Sequence, residues 1–172
     1  MQDLIEGCKD MPGTANTPAR ANLFTIPAES DSPLPNNLRE RLLLYLSKRT
    51  RPDILTAVVF LTKRVLRPQK DDHDKLIRTI QYIRGSQITG ITFEVYEPIH
   101  FIAYINASFA IHPDMKSHTG SVITPGKRAI YAKSGTQRLI TKSSTEAELV
   151  ALSDAANQVL WTKNFLECQG HP

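Results

Sequence analysis

The chain has 172 residues, 41% hydrophobic and 22% charged, a globular composition that suits one domain or two small ones and excludes a disordered class. No run of about 18 apolar residues occurs, which excludes a spanning helix, and the start MQDLIEGCKDMPG lacks the basic flank and apolar core of a signal peptide. Twenty-one Lys and Arg against 17 Asp and Glu leave a net charge of +4 and a pI near 9.1, a mild basic excess that favours polyanion contact without establishing it.

Residues 1–36 are rich in Pro, Ser, Asn and Thr and show no sustained period, which predicts an irregular arm docked only at Leu23 and Phe24. From Asn37 a helical spacing begins, with Leu38, Leu42 and Leu46 on one stripe, Asn36 or Asn37 as cap, and an end near Arg49. The segment TRPDILTAVVFLTKRVLRP predicts a second helix, opened by Pro52 and Asp53, striped by Ile54, Val58, Leu61 and Val65, and stopped at Pro68. A third follows over DDHDKLIRTIQYIRGS, with Leu76, Ile80 and Ile83 on its apolar face and Gly85 as its stop. Arg49, Arg51, Lys63 and Arg64 are expected on solvated faces.

After Gly85 the period changes to two. Ile91, Phe93 and Val95 alternate with Thr92, Glu94 and Tyr96, IHFIAYINASFA reads as a second strand, and GSVITPGKRAIYAKS reads as two more joined by three or four residues around Pro125 and Gly126. The last element is a long helix: Ser143 and Glu146 form a capping-box pattern and Gly170 offers the stop. Ala147, Val150, Ala151, Ala155, Val159, Thr162 and Leu166 share one face, and Leu149, Leu152, Ala156 and Leu160 widen it, so packing on more than one side is expected. Cys8 and Cys168 stand near opposite ends with no CxxC, which disfavours a disulfide framework or structural zinc.

Three stretches, LLYLSKRTRPDILTAVVFLTKRV, YINASFAIHPDMKSHTGSVIT and KSSTEAELVALSDAANQVLW, resemble in their order the connection and ribonuclease H region of copia-type retrotransposon Pol polyproteins. The resemblance spans roughly residues 18 to 170. It implies an α/β chain: residues 1–36 as the end of the reverse transcriptase region, 37–86 as a helical connection, and 87–172 as the N-terminal half of a ribonuclease H-like domain, mostly antiparallel strands on a long helix. No palm motif with paired aspartates is present, so polymerisation is not expected.

Enzymes of this kind cut the RNA strand of an RNA–DNA hybrid with two Mg²⁺ ions held by clustered acids. The resemblance places the first-strand acid at Asn106, where the family pattern has Asp, and the helix acid, a metal ligand in the family, at Glu148. The third acid would fall on a fourth strand beyond Pro172. An amide supplies one neutral oxygen in place of a bridging carboxylate, so the resemblance implies weak or absent Mg²⁺ binding and no cleavage. The dipole alone explains an acid early in a helix, and it is the plain alternative for Glu148. Glu146 reads as a capping residue and Asp154 as a solvated acid.

Lys116, Ser117, Lys127, Arg128, Lys133, Arg138 and Lys142 fall where the resemblance implies the hybrid-binding face, and phosphate contacts can outlast catalysis. A solvated edge that blunts strand pairing is the competing account of these charges. Ser143 and Ser144 are candidates for phosphate or cap contacts, with capping preferred. His112, Asp114 and His118 share one loop and carry metal-ligating side chains, but their spacing matches no zinc pattern and HPDMKSHTG reads as a polar turn. Three functions follow as expectations: an inactive Pol segment with salt-sensitive nucleic-acid binding, an active hybrid nuclease completed by a longer chain or partner, and a protein-interaction module using an exposed sheet edge. An intracellular location, no membrane partner, and marginal folding or self-association accompany the first.

Overall fold

The computed structural model describes residues 12–27, 39–66, 68–88 and 100–171. It divides into two compact units, Met1–Gly90 and Ile91–Pro172.

In the first unit α1 runs Arg39–Arg49, a 3-10 turn covers Pro52–Ile54, α2 runs Leu55–Thr62 and α3 runs Lys70–Gly85. The caps proposed at Asn36 and Asn37 lie outside the described residues. In α2, Leu55, Ala57, Val58, Phe60 and Leu61 are all buried, the pattern of a helix enclosed by its neighbours. Leu43 of α1 and Leu76, Ile80 and Ile83 of α3 complete this core. The second helix is shorter than its stripe suggests. After Thr62 the chain tightens, with Lys63 and Arg64 N–H groups donating to the carbonyls of Phe60 and Leu61, and Arg64 reaches Asp72 at 2.5 Å and Gln69 Oε1 at 3.2 Å beside the start of α3.

Arg51 is not a solvated charge either. Its side chain is 3% exposed; the guanidinium donates to Asp53 at 2.7 Å, to Ser86 Oγ at 2.6 Å and to the Ser86 carbonyl at 3.2 Å. Tyr82 donates to the same Asp53 carboxylate at 2.8 Å. Burial would raise the Asp53 carboxyl, but the hydrogen bonds from Arg51 and Tyr82 outweigh it and hold the group below its usual range.

The arm is docked along its described length rather than at two residues. Leu23 is buried and Phe24 meets Phe60 edge to face at 5.6 Å. Side chains of α3 also tie its backbone: Thr79 to the Pro18 carbonyl at 3.1 Å, Gln81 to that of Pro12 at 2.7 Å, and Lys75 to that of Thr25 at 2.7 Å. A Cβ added at Gly85 would stand 3.2 Å from Thr14 Cβ, so the glycine permits this close approach.

In the second unit β1 (Ile102–Ser108), β2 (His118–Thr124) and β3 (Tyr131–Thr136) form an antiparallel sheet in the order β1-β2-β3, followed by α4 (Ser144–Cys168). The strand expected over Ile91 to Tyr96 lies outside the described residues. Asn106 is registered with Gly120, and Gly120 with Ser134. The β2–β3 connection, residues 125–130, has six residues rather than three or four. Thr124 accounts for the extra length: its hydroxyl bonds both the carbonyl and the N–H of Gly126, and Ile130 N–H returns to the Ile123 carbonyl at 2.9 Å.

Among the described residues, four helices and three strands make an α/β arrangement with an antiparallel sheet. Ala147, Ala151 and Ala155 of α4 are buried, and their small side chains let the helix lie close on β1 and β2. Leu149 and Trp161 are 63% and 60% exposed, so among the described residues α4 is covered on one face only. Its end is a Schellman turn: Gly170 at φ +83, with its N–H on the Glu167 carbonyl and the His171 N–H on that of Leu166.

Candidate functional site

Strand period and helix docking together create the candidate site. Along β1, Ala103, Ile105 and Ala107 are half-buried and Ile102, Tyr104, Asn106 and Ser108 exposed. Thr119, registered with Ala107, accepts from Gln137 Nε2 at 3.1 Å, and the same amide donates to the Ala147 carbonyl in the first turn of α4 at 2.8 Å. The Ala107 side of the sheet therefore faces α4, and Asn106 starts from the opposite side. Ser143 caps the helix by accepting from Glu146 N–H at 3.1 Å. Glu146 reaches back to Lys142 N–H at 2.7 Å, one residue earlier than a standard capping box.

This docking brings the two predicted catalytic positions to one point. Ala107 N–H lies 3.1 Å from Glu148 Oε2 and 2.8 Å from Asn106 Oδ1. Strand and helix acceptors thus approach a single donor from the two sides of the sheet. Glu146 faces its cap and is separate from this point.

One carboxylate and one amide do not fit two Mg²⁺ ions, which demand several carboxylate oxygens. Among the described residues no group of three His, Cys, Asp or Glu side chains is placed to hold a metal.

The predicted basic face is divided. Lys116, Arg138 and Lys142 belong to segments at the Ser108–His118–Thr136 end of the sheet, near Asn106 and Glu148. Lys127 and Arg128 lie in the β2–β3 connection at the other end, separated by at least four strand residues, about 13 Å. Lys133 lies on the α4 side and donates to the Asp154 carbonyl at 3.4 Å. Lys116 pairs with Asp114 at 3.0 Å, and this hydrogen bond holds the Asp114 carboxyl below its usual range. Ser117 is a correction: it is fully buried, accepts from Ala110 N–H at 3.1 Å and bonds Thr141 Oγ1 at 3.0 Å, so it organises the loop instead of meeting phosphate. Gln137, which docks α4, carries no local pattern that would have revealed it.

Over 126 residues, 73% of its length, the chain is 32% identical to the retrovirus-related Pol polyprotein from transposon TNT 1-94 of Nicotiana tabacum. This chain is a relative of the copia-type retrotransposon Pol polyproteins. It spans 9% of that Pol polyprotein's length. The Pol-related chain is also 28% identical over 158 residues to the uncharacterized mitochondrial protein AtMg00810 of Arabidopsis thaliana, covering 90% of this chain and 64% of that one. It is 28% identical over 120 residues to secreted RxLR effector protein 161 of Plasmopara viticola, covering 69% and 84% respectively. No family model and no solved structure matches it. Among the described residues of this Pol relative, no helix is long and apolar enough to cross a membrane.

Proposed function

We propose that the second unit is a ribonuclease H-like region of a copia-type Pol polyprotein that binds nucleic acid, including RNA–DNA hybrid, without cleaving it. The observation that carries this reading is the convergence of Asn106 and Glu148 on Ala107 N–H. The pair occupies the strand and helix positions of the family's acids, and the strand member is an uncharged amide. In this reading Glu148 is the inherited metal-ligating acid, and productive Mg²⁺ binding is lost with the missing carboxylate. Lys116, Arg138 and Lys142 supply phosphate contacts near the pair; Lys127, Arg128 and Lys133 contribute less because they stand apart from it.

Fluorescence anisotropy on a labelled RNA–DNA hybrid at several salt concentrations tests the binding. Affinity should fall steeply with salt, and Arg138→Ala or Lys142→Ala should flatten the log–log slope by about 0.9 for each phosphate that is no longer neutralised. Absence of binding at low salt, or binding indifferent to both substitutions, contradicts the reading.

Self-association is a second reading, favoured by exposed Leu149, Leu152, Leu160 and Trp161 on α4 and by β1 standing at the edge of the described sheet. Sedimentation velocity across a concentration series distinguishes it: a single monomeric species at all concentrations rejects it.

A further inference from the structure

The last turns of α4 carry an aromatic pair that the candidate site does not use. Trp161 and Phe165 stand one helical turn apart, and their rings stack with centroids at 5.4 Å and planes at 10°. Both stay open to solvent, at 60% and 49% exposure. Backbone geometry sets this pair beside basic residues. Lys133 of β3 donates to the Asp154 carbonyl, and Trp161 and Phe165 follow 7 and 11 positions after Asp154, which puts all three on one side of the helix at 3.6 residues per turn. Helix and strand run in opposite senses: Gln137, just past β3, bonds the first turn of α4 at Ala147, whereas Ile123, registered with Tyr131 at the start of β3, lines a pocket with Val159 and Thr162. The aromatic pair therefore lies at the Tyr131 end of β3, where the β2–β3 connection presents exposed Lys127 and Arg128.

We propose that Trp161 and Phe165, with Lys127, Arg128 and Lys133, form a binding surface for single-stranded nucleic acid. An unpaired base of any sequence offers a flat π-face to the open side of an aromatic ring, and such stacking is a main source of single-strand affinity. The sugar–phosphate backbone supplies the negative charge that complements the three cations. Asp154 is the one acid along the stripe from Asp154 to Phe165, so the patch stays basic. A duplex does not suit this surface, because its bases are already stacked on one another and their faces are closed. The patch lies at the opposite end of the sheet from Lys116, Arg138 and Lys142, and the proposal is therefore independent of hybrid binding there.

Trp161 is the only tryptophan in the chain, so its fluorescence reads the site directly. Titrating the full chain at low salt with an oligothymidylate of about 12 nucleotides should quench that emission to saturation. An oligouridylate of the same length should do the same, since neither stacking nor phosphate contact needs the 2′-hydroxyl, and a blunt DNA duplex of that length should not. Phe165→Ala should raise the quenching midpoint about fivefold or more, and Lys127→Ala or Arg128→Ala should flatten the log–log salt slope by about 0.7 for each phosphate that is no longer neutralised. The quenching is read on the unmodified chain, so the test survives a variant that folds poorly. No quenching by either single strand, equal quenching by the duplex, or emission that follows protein concentration rather than oligonucleotide overturns the proposal, and the last of these assigns the face to self-association.

Discussion

Asn106 Oδ1 and Glu148 Oε2 accept the same backbone N–H, that of Ala107, at 2.8 and 3.1 Å. Two side chains 42 positions apart in sequence meet there because strand period sets one and the alanine stripe of α4 sets the other. A neutral amide and one carboxylate can share that donor with little electrostatic strain. Two carboxylates could not do so equally well without a counterion.

Asn106→Asp should therefore lower stability by about 0.5 kcal/mol in chelator, the scale of a like-charge pair at a strand surface. Millimolar Mg²⁺ should recover that loss in the variant and leave the parent's melting temperature unchanged. Thermal melts with and without Mg²⁺ check both statements.

Gln137 is the polar link between sheet and helix, and one amide group serves both Thr119 and the Ala147 carbonyl. Gln137→Ala should destabilise the second unit by about 2 kcal/mol, since it removes two buried hydrogen bonds and opens a void. Urea denaturation followed at Trp161, within that unit, measures it.

Ala151 is buried where α4 lies on the sheet. Ala151→Leu should cost about 1–3 kcal/mol by overpacking, whereas Leu160→Glu on the exposed face should cost little and reduce any concentration-dependent association. The contrast between the two melting temperatures tests which face of α4 is covered.

In the first unit, Arg51→Met should destabilise by about 3 kcal/mol, the low end for breaking a buried pair because Asp53 is partly solvated. The Asp53 carboxyl is held below its usual range, so its contribution is present above the unfolded value of about 3.9 and is lost as pH falls through the folded one. Asp53→Asn should flatten the acid limb of a stability profile taken between about pH 5 and 2.

The elements were legible where the information is local. The stripe of Leu76, Ile80 and Ile83, the Ser143 cap, the Gly170 stop and the β1 alternation all follow from neighbouring residues. The helix register of α1 was less so, since Leu43 and Ser47 are buried while Tyr45 is exposed. Arg51 could not be read as buried because its partner Ser86 lies 35 positions away. The docked arm rests on α3 side chains 50 to 69 positions distant. Ser117 looked like a phosphate contact because nothing local reveals its burial against Thr141. At the candidate site, the two positions came from the family resemblance. Their meeting at Ala107 N–H depends on docking through Gln137, which no spacing rule encodes.

The most direct measurement is cleavage of a labelled RNA–DNA hybrid in Mg²⁺ and in Mn²⁺ at low salt by the unmodified chain, with Glu148→Ala as its control. Binding without cleavage is the expected result. Cleavage by the unmodified chain that disappears in Glu148→Ala would contradict the proposed function and establish an active metal site despite Asn106.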